Sequence, residues 1–278
     1  MEPLENEFGD IIQKARMGLG LTLKQVSEKA NIPVHLLEEM ESCRHRPSKE
    51  DVSLLAPVLG LHPAKLYAIA MGSWHPEEFP SGKLSDIVII GGTIGSYKVN
   101  GYIFIDKKSS EAVAFDTANN SRKVLQSLQD RGLRLKYIFM THCHSDHVGG
   151  LEEVCRVTGA RVGMPEEETT VELKEDIRKQ VFWVRDSSEF KLGTIVIKAV
   201  AISGHTQGST CYMTRDYCFS GDTIFAGSVG RAYSTEAYSK LLHSVKTRVL
   251  SLDEGVYIFP GHGPVTTVKE ERAHNPFF

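Results

Sequence analysis

Within Thr141-His142-Cys143-His144-Ser145-Asp146-His147-Val148-Gly149-Gly150, four side chains able to ligate a metal fall inside six residues. The run directly follows the apolar stretch Tyr137-Ile138-Phe139-Met140. In extended chain, residues two apart face the same side, so His142 and His144 can share one ion. Asp146 and His147 stand where the chain turns and can reach a second ion nearby. Gly149 and Gly150 allow a tight backbone turn into the helix expected from Leu151.

Three further candidates sit in the same kind of place. His205 lies in Gly204-His205-Thr206-Gln207-Gly208, Asp222 in Ser220-Gly221-Asp222-Thr223, and His262 in Pro260-Gly261-His262-Gly263. Each follows a strand-like run and is flanked by glycine. Strand ends on one edge of a sheet converge, which gathers residues distant in sequence into one pocket. A lone histidine is usually a surface or core residue, and His35, His45, His62, His75, His243 and His274 are read that way. The other five histidines all occupy glycine-flanked strand exits, a set that chance does not readily assemble. Histidine and carboxylate donors suit two divalent ions, zinc first, with iron and manganese also compatible.

The elements that must position these residues change character along the chain. Residues 8 to about 70 read as helical: Phe8, Ile11, Ile12, Ala15 and Leu19 recur at helical spacing. Thr22 is a natural cap for a second helix. Asn31-Ile32-Pro33 breaks the chain before a third, because Pro33 lacks an amide hydrogen. Residues 72–84, with prolines and glycines, read as an exposed linker. From 85 onward, short β-prone runs (Ile87-Val88-Ile89-Ile90, Tyr102-Ile103-Phe104-Ile105, Ala112-Val113-Ala114-Phe115, Ile195 to Val200, Thr210 to Met213, Val256 to Phe259) alternate with helices expected at 121–130, 151–158, 167–179 and 235–250. The expected organisation is 1–71 helical, 72–84 linker and 85–278 a strand-rich α/β domain.

Composition sets outer limits. The chain of 278 residues is long enough for two domains, and a net charge of -3 gives no global case for nucleic acid or anionic membrane. No apolar run is long enough to span a bilayer. The five cysteines are scattered without a Cys-x-x-Cys pair, which fits free thiols in a reducing compartment. The expected location is the cytoplasm.

The His-x-His-x-Asp-His run with His205, Asp222 and His262 resembles the metallo-β-lactamase superfamily. That resemblance implies an αββα sandwich with metals at one edge of the sheets. It implies a first metal on His142, His144 and His205, a second on Asp146, His147 and His262, and Asp222 bridging the two. Asp116 resembles a structural aspartate that supports the metal loop. Residues 85–278, through Gly221 to Arg231, Pro260-Gly261-His262-Gly263-Pro264 and Glu271 to Phe277, are similar to glyoxalase II (hydroxyacylglutathione hydrolase). Arg231 and Tyr233 match residues that contact glutathione there. The implied reaction is attack of a metal-activated hydroxide on a thioester or related acyl carbonyl, with Asp146 and Asp222 as catalytic carboxylates and Asp146 orienting the nucleophile. Glyoxalase II usually continues into a further helical domain, whereas 16 residues follow His262 here. The pattern is also similar to persulfide dioxygenases, which hold one iron on counterparts of His142, His205 and Asp222. Those usually lack the Pro-Gly-His-Gly sequence, and its presence favours hydrolysis. Cys143, between two ligands, is read as a packing residue because strand alternation turns it from their face.

Residues 21–30, the Asn31-Ile32-Pro33 turn, 34–42 and Arg46-Pro47-Ser48 resemble, in that order, a Cro/C1-type helix-turn-helix. The resemblance implies a recognition helix at about 34–42 with His35 near DNA bases, Arg44, Arg46 and Lys49 near phosphates, and dimerisation. Residues 1–75 nevertheless carry eight basic and ten acidic side chains, so charge does not drive that contact. Two other functions compete with the hydrolase: a regulator whose metal domain senses a metabolite, and a nuclease. The complete ligand set weighs against the first, and the lack of basic surplus against the second.

Overall fold

The computed structural model describes residues 2–80, 85–168 and 172–278. Five helices come first: α1 (Phe8–Gly18), α2 (Leu23–Ala30), α3 (Val34–Glu41), α4 (Lys49–Val58) and α5 (Pro63–Ala70). Their starts follow local chemistry. Thr22 accepts from the Gln25 amide while Gln25 answers the Thr22 backbone, and Ser48 with Asp51 repeats the arrangement. Asn31 closes α2 in the left-handed region at φ 53, and Pro33 precedes α3. Ile11, Ile12, Ala15, Val26, Leu37, Met40 and Leu55 fill the space between the helices.

Beyond residue 85, period-two alternation sends side chains to two different cores. β1 (Ile87–Ile94), β2 (Tyr97–Asp106), β3 (Glu111–Phe115), β4 (Arg134–Phe139), β5 (Arg161–Pro165) and β6 (Val181–Val184) form one sheet in that order. The second sheet runs β14 (Thr266–Thr267), β13 (Tyr257–Pro260), β10 (Tyr217–Gly221), β9 (Thr210–Met213), β8 (Ile195–Ala201), β7 (Glu189–Leu192). Tyr102, Phe104, Val113 and Phe115 face inward and meet Tyr212, Phe219 and Phe259 from the opposite sheet. Phe115 stacks on Phe219 with centroids 3.9 Å apart. The alternate residues Ile103, Ile105, Ala112 and Ala114 face outward onto α6 (Ser121–Asp130) and α8 (Leu151–Thr158). On the other side, Cys211, Met213, Cys218 and Ile258 pack under α10 (Thr235–Ser244) and α11 (Val268–His274). The result is the expected four-layer αββα arrangement, and strands buried on both faces carry few polar residues for that reason.

Several expectations require correction. The N-terminal helices do not stand apart: Ile11, Leu37 and Leu66 share one continuous buried cluster with Ile202, Leu241 and Phe277. Residues 72–80 are partly packed, because Trp74 stacks on His274 at 4.9 Å and Phe79 meets Tyr257 and Phe259 edge-on, while Gly72, Ser73, Glu77 and Glu78 are exposed. Residues 81–84 of the expected linker lie outside the described residues. The helix expected at 167–179 includes residues outside the description; its described part is the short α9 (Glu175–Arg178), between β5 and β6. The helix expected through 250 changes to a π-helical turn at Val245–Val249.

Candidate metal centre

All the predicted ligands converge at one edge of the sandwich. His142 and His144 follow β4, and Asp146 and His147 lie on the one-turn helix α7 (Ser145–Val148). His205 follows β8, Asp222 follows β10 and His262 follows β13. β3 and β4 run parallel, as do β10 and β13, so their C-terminal ends open on the same side. Glycine lets the loops close: a Cβ on Gly261 would sit 2.3 Å from Asp222 Oδ1 and 2.5 Å from His147 Cε1. The glycines flanking the ligands therefore make room for neighbouring ligands.

The donor atoms form two groups, one of His142, His144, His205 and Asp222, the other of Asp146, His147 and His262. Donors about 2.0–2.2 Å from a tetrahedral ion stand roughly 3.3–3.5 Å apart. His144 Nδ1 lies 3.1 Å from His142 Nε2 and 3.0 Å from His205 Nε2. Asp222 Oδ2 lies 3.5 Å from His205 Nε2, and Asp146 Oδ2 lies 3.2 Å from His262 Nε2. Asp222 spans both groups, with Oδ1 3.2 Å from His147 Nε2 and Oδ2 3.4 Å from His262 Nε2. His147 Nε2 and Asp222 Oδ1 are buried without a hydrogen-bond partner. Two buried, partnerless donors aimed at each other are what a cation between them would satisfy. The residues present fit two divalent ions.

The surrounding groups fix each imidazole. His147 Nδ1 donates to Asp116 Oδ2 at 2.7 Å, leaving Nε2 free for a metal. Asp116 also accepts from the Thr141 amide and hydroxyl, as expected of a supporting aspartate. His205 Nδ1 donates to the Arg231 carbonyl at 2.9 Å, and His262 Nδ1 donates to the Lys98 carbonyl. Glu168, an unpredicted residue, accepts from the Cys143 amide at 2.9 Å and the Gly208 amide at 3.0 Å, tying two ligand loops together. In the sequence it reads only as part of an acidic run. Cys143 packs against the outer apolar layer, and burial with nearby Glu168 raises its thiol pKa well above the ordinary range.

The carboxylates and imidazoles of the centre set one another's charge. Burial opposes ionisation of Asp222, yet His147 and His262 hold it well below the usual carboxylate range. Burial likewise disfavours charge on His147, but Asp222 and Asp116 push it up to about 10. Desolvation holds His142 well below its ordinary value. Protons thus gather at the carboxylate-rich side, where cations would compete with them.

A pocket of about 700 Å3 opens onto this edge. Arg231 and Tyr233 line it, Tyr233 being 71% exposed. So do Glu5, which precedes α1, and Lys14, which lies on it. No local motif marks them, because only the docking of α1 brings them there. The residues considered for DNA are elsewhere. His35 lies exposed on α3, and Arg44 and Lys49 are exposed. Arg46 donates to the Met71 carbonyl at 3.1 Å and so closes α5. Among the described residues no helix is long and apolar enough to cross a membrane.

Two facing mixed sheets between helical layers carry a histidine and aspartate centre at one edge. The chain belongs to the metallo-beta-lactamase superfamily, whose family model matches residues 100–262. It is similar to hydroxyacylglutathione hydrolase GloC of Haemophilus influenzae, 25% identical over 201 residues that span 66% of this chain and 94% of the relative. It is also similar to human mitochondrial persulfide dioxygenase ETHE1, 29% identical over 189 residues, spanning 63% and 69% of the two chains. Among solved structures, BLEG-1 B3 metallo-beta-lactamase superposes with a TM-score of 0.59 at 25% identity, covering 68% of this chain and 99% of that one. The N-terminal helices precede the matched region.

Proposed function

We propose that this chain is a glyoxalase II-type hydrolase that cleaves a thioester, hydroxyacylglutathione-like, or a related acyl substrate. The observation that carries this reading is the second donor group: Asp146, His147 and His262 lie together beside the first, and Asp222 reaches both. A one-iron centre requires only the first. Two divalent ions, zinc foremost, would lower the pKa of a shared water from about 15.7 to about 7. Around them, Asp116, Arg231 and Lys98 hold three imidazoles in orientation, and Asp146, partly open to the pocket, is placed to orient the nucleophile. The products are a carboxylic acid and a thiol; the thiolate leaves without a strong acid. Similarity to GloC supports the reading, and similarity to ETHE1 supplies the alternative.

The test combines elemental analysis with thiol release from S-lactoylglutathione. Two ions per chain and rapid release are expected. One iron per chain, no release and oxygen uptake on glutathione persulfide would overturn the assignment in favour of the dioxygenase.

The helical segment supports a second reading, as a helix-turn-helix that contacts DNA. In its favour, α3 leaves Val34 and His35 exposed. Against it, Glu38 and Glu39 share the exposed surface, and phosphate repels them. A titration of duplex DNA at several salt concentrations decides: steep salt dependence supports contact, and no binding removes the reading.

A further inference from the structure

We propose that Lys14, carried into the metal pocket by the N-terminal helical segment, is a specificity-determining residue that binds a carboxylate of the substrate. The reaction it would serve is the hydrolysis proposed above, and the binding geometry is independent of it.

Lys14 leaves α1 toward the catalytic half rather than toward solvent. Its Nζ donates to Asn6 Oδ1 at 2.7 Å and to the Val229 carbonyl at 2.8 Å. Val229 lies on β12 (Ser228–Val229), which pairs with β11 (Ile224–Phe225). The ammonium also stands over the Phe225 ring, 5.0 Å from its centroid. That ring packs on His262 at 5.9 Å, so the cation and the metal edge share a neighbour within one pocket.

The bonding of the ammonium is incomplete. An ammonium has three donors, and both described partners are neutral oxygens. Burial lowers its pKa to about 8, while Asp222 and Glu5 raise it. The charge is half-buried and makes no salt bridge among the described residues, so an incoming anion would supply one. Asn6 is itself buried, which fixes the ammonium before any ligand arrives.

The lining selects the kind of anion. Lys14, Lys98 and Arg231 are interspersed with Glu2, Glu5 and Asp10. A phosphate of about -1.5 to -2 charge would meet three carboxylates there. A single carboxylate needs one cation, and Lys14 supplies it. Arg231 lines the same pocket, its guanidinium donating to Gln13 Oε1 at 3.3 Å.

The test uses the metal-loaded full chain and two thioesters, S-lactoylglutathione and its dimethyl ester, with thiol release as the readout. In the wild type, kcat/KM favours the free acid. Lys14→Met reduces that preference by roughly 10–100-fold, chiefly through KM, and Lys14→Arg restores part of it. Equal losses on both substrates would show that Lys14 supports only the fold. Titration of wild-type protein with S-methylglutathione and its dimethyl ester, neither of which is a thioester, needs neither turnover nor a variant. Tighter binding of the acid is expected, and equal or absent binding overturns the carboxylate site. Binding of the acid without thiol release from S-lactoylglutathione would instead remove the hydrolase reading and leave the anion site standing.

Discussion

Asp116 Oδ2 accepts the Nδ1 proton of His147 at 2.7 Å, and the same oxygen accepts the Thr141 hydroxyl at 2.7 Å. One carboxylate at the end of β3 thereby sets the tautomer of a second-group ligand and anchors the loop that bears the first group. Thr141 also lies 3.0 Å from His142 Nδ1 through its hydroxyl, so the support reaches two imidazoles.

Asp116→Asn removes an acceptor and can present an amide donor to His147 in its place. Metal affinity is expected to fall by roughly 10–100-fold, more at the second group than at the first. Chelator competition measured on folded protein checks this, and unchanged affinity at both positions would assign Asp116 to the backbone alone.

Asp222 reaches donors of both groups. Asp222→Asn and His144→Ala are expected to lower turnover by orders of magnitude while circular dichroism stays unchanged. Near-normal turnover in a metal-replete Asp222→Asn protein would sink the two-ion assignment.

Glu271 gives a pH signature of stability remote from the ligands. Burial raises its pKa to about 8, although Asn275, Thr266 and the Gly227 amide favour the charged form. Protonated, it can donate to the Thr266 hydroxyl while that hydroxyl donates to Glu270. The folded chain keeps this proton from the ordinary value of 4.5 up to about 8, whereas the unfolded chain releases it near 4.5. The folded state binds more protons in that window, so this group's contribution to stability falls as pH rises through it. Glu271→Gln is expected to flatten the decline in thermal-melt midpoints of metal-free protein. An unchanged slope would mean that Glu271 is ionised in the fold.

Gly18 lies at a close approach of the helical segment to the catalytic half. A Cβ there would lie 2.4 Å from the Tyr238 ring on α10. Gly18→Val is expected to cost roughly 1–3 kcal/mol by overpacking and to weaken the docking of α1. A lower melting midpoint, with a higher KM for S-lactoylglutathione as Lys14 shifts, is the expected pair of results. A change in neither would mean that the interface has slack.

The candidate ligands and many of the strands were legible in the chain before any contact was known. His142, His144, Asp146 and His147 are neighbours in the chain, and His205, Asp222 and His262 carry their glycine-flanked strand exits with them. Those signals are local, since a ligand loop needs small residues beside it whatever lies across the pocket. Period-two runs such as Tyr102-Ile103-Phe104-Ile105 likewise announce a buried strand before its partners are known. Tertiary structure alone decided what faces the metals from the N-terminal side. Lys14 reads as one polar position on an amphipathic helix, and nothing nearby separates it from Lys24 or Lys29. It becomes a pocket residue because Ile11, Leu37 and Leu66 bury their apolar surface against Ile202, Leu241 and Phe277. Hydrophobic association is non-directional, so the sequence shows that such faces must be covered without showing what covers them.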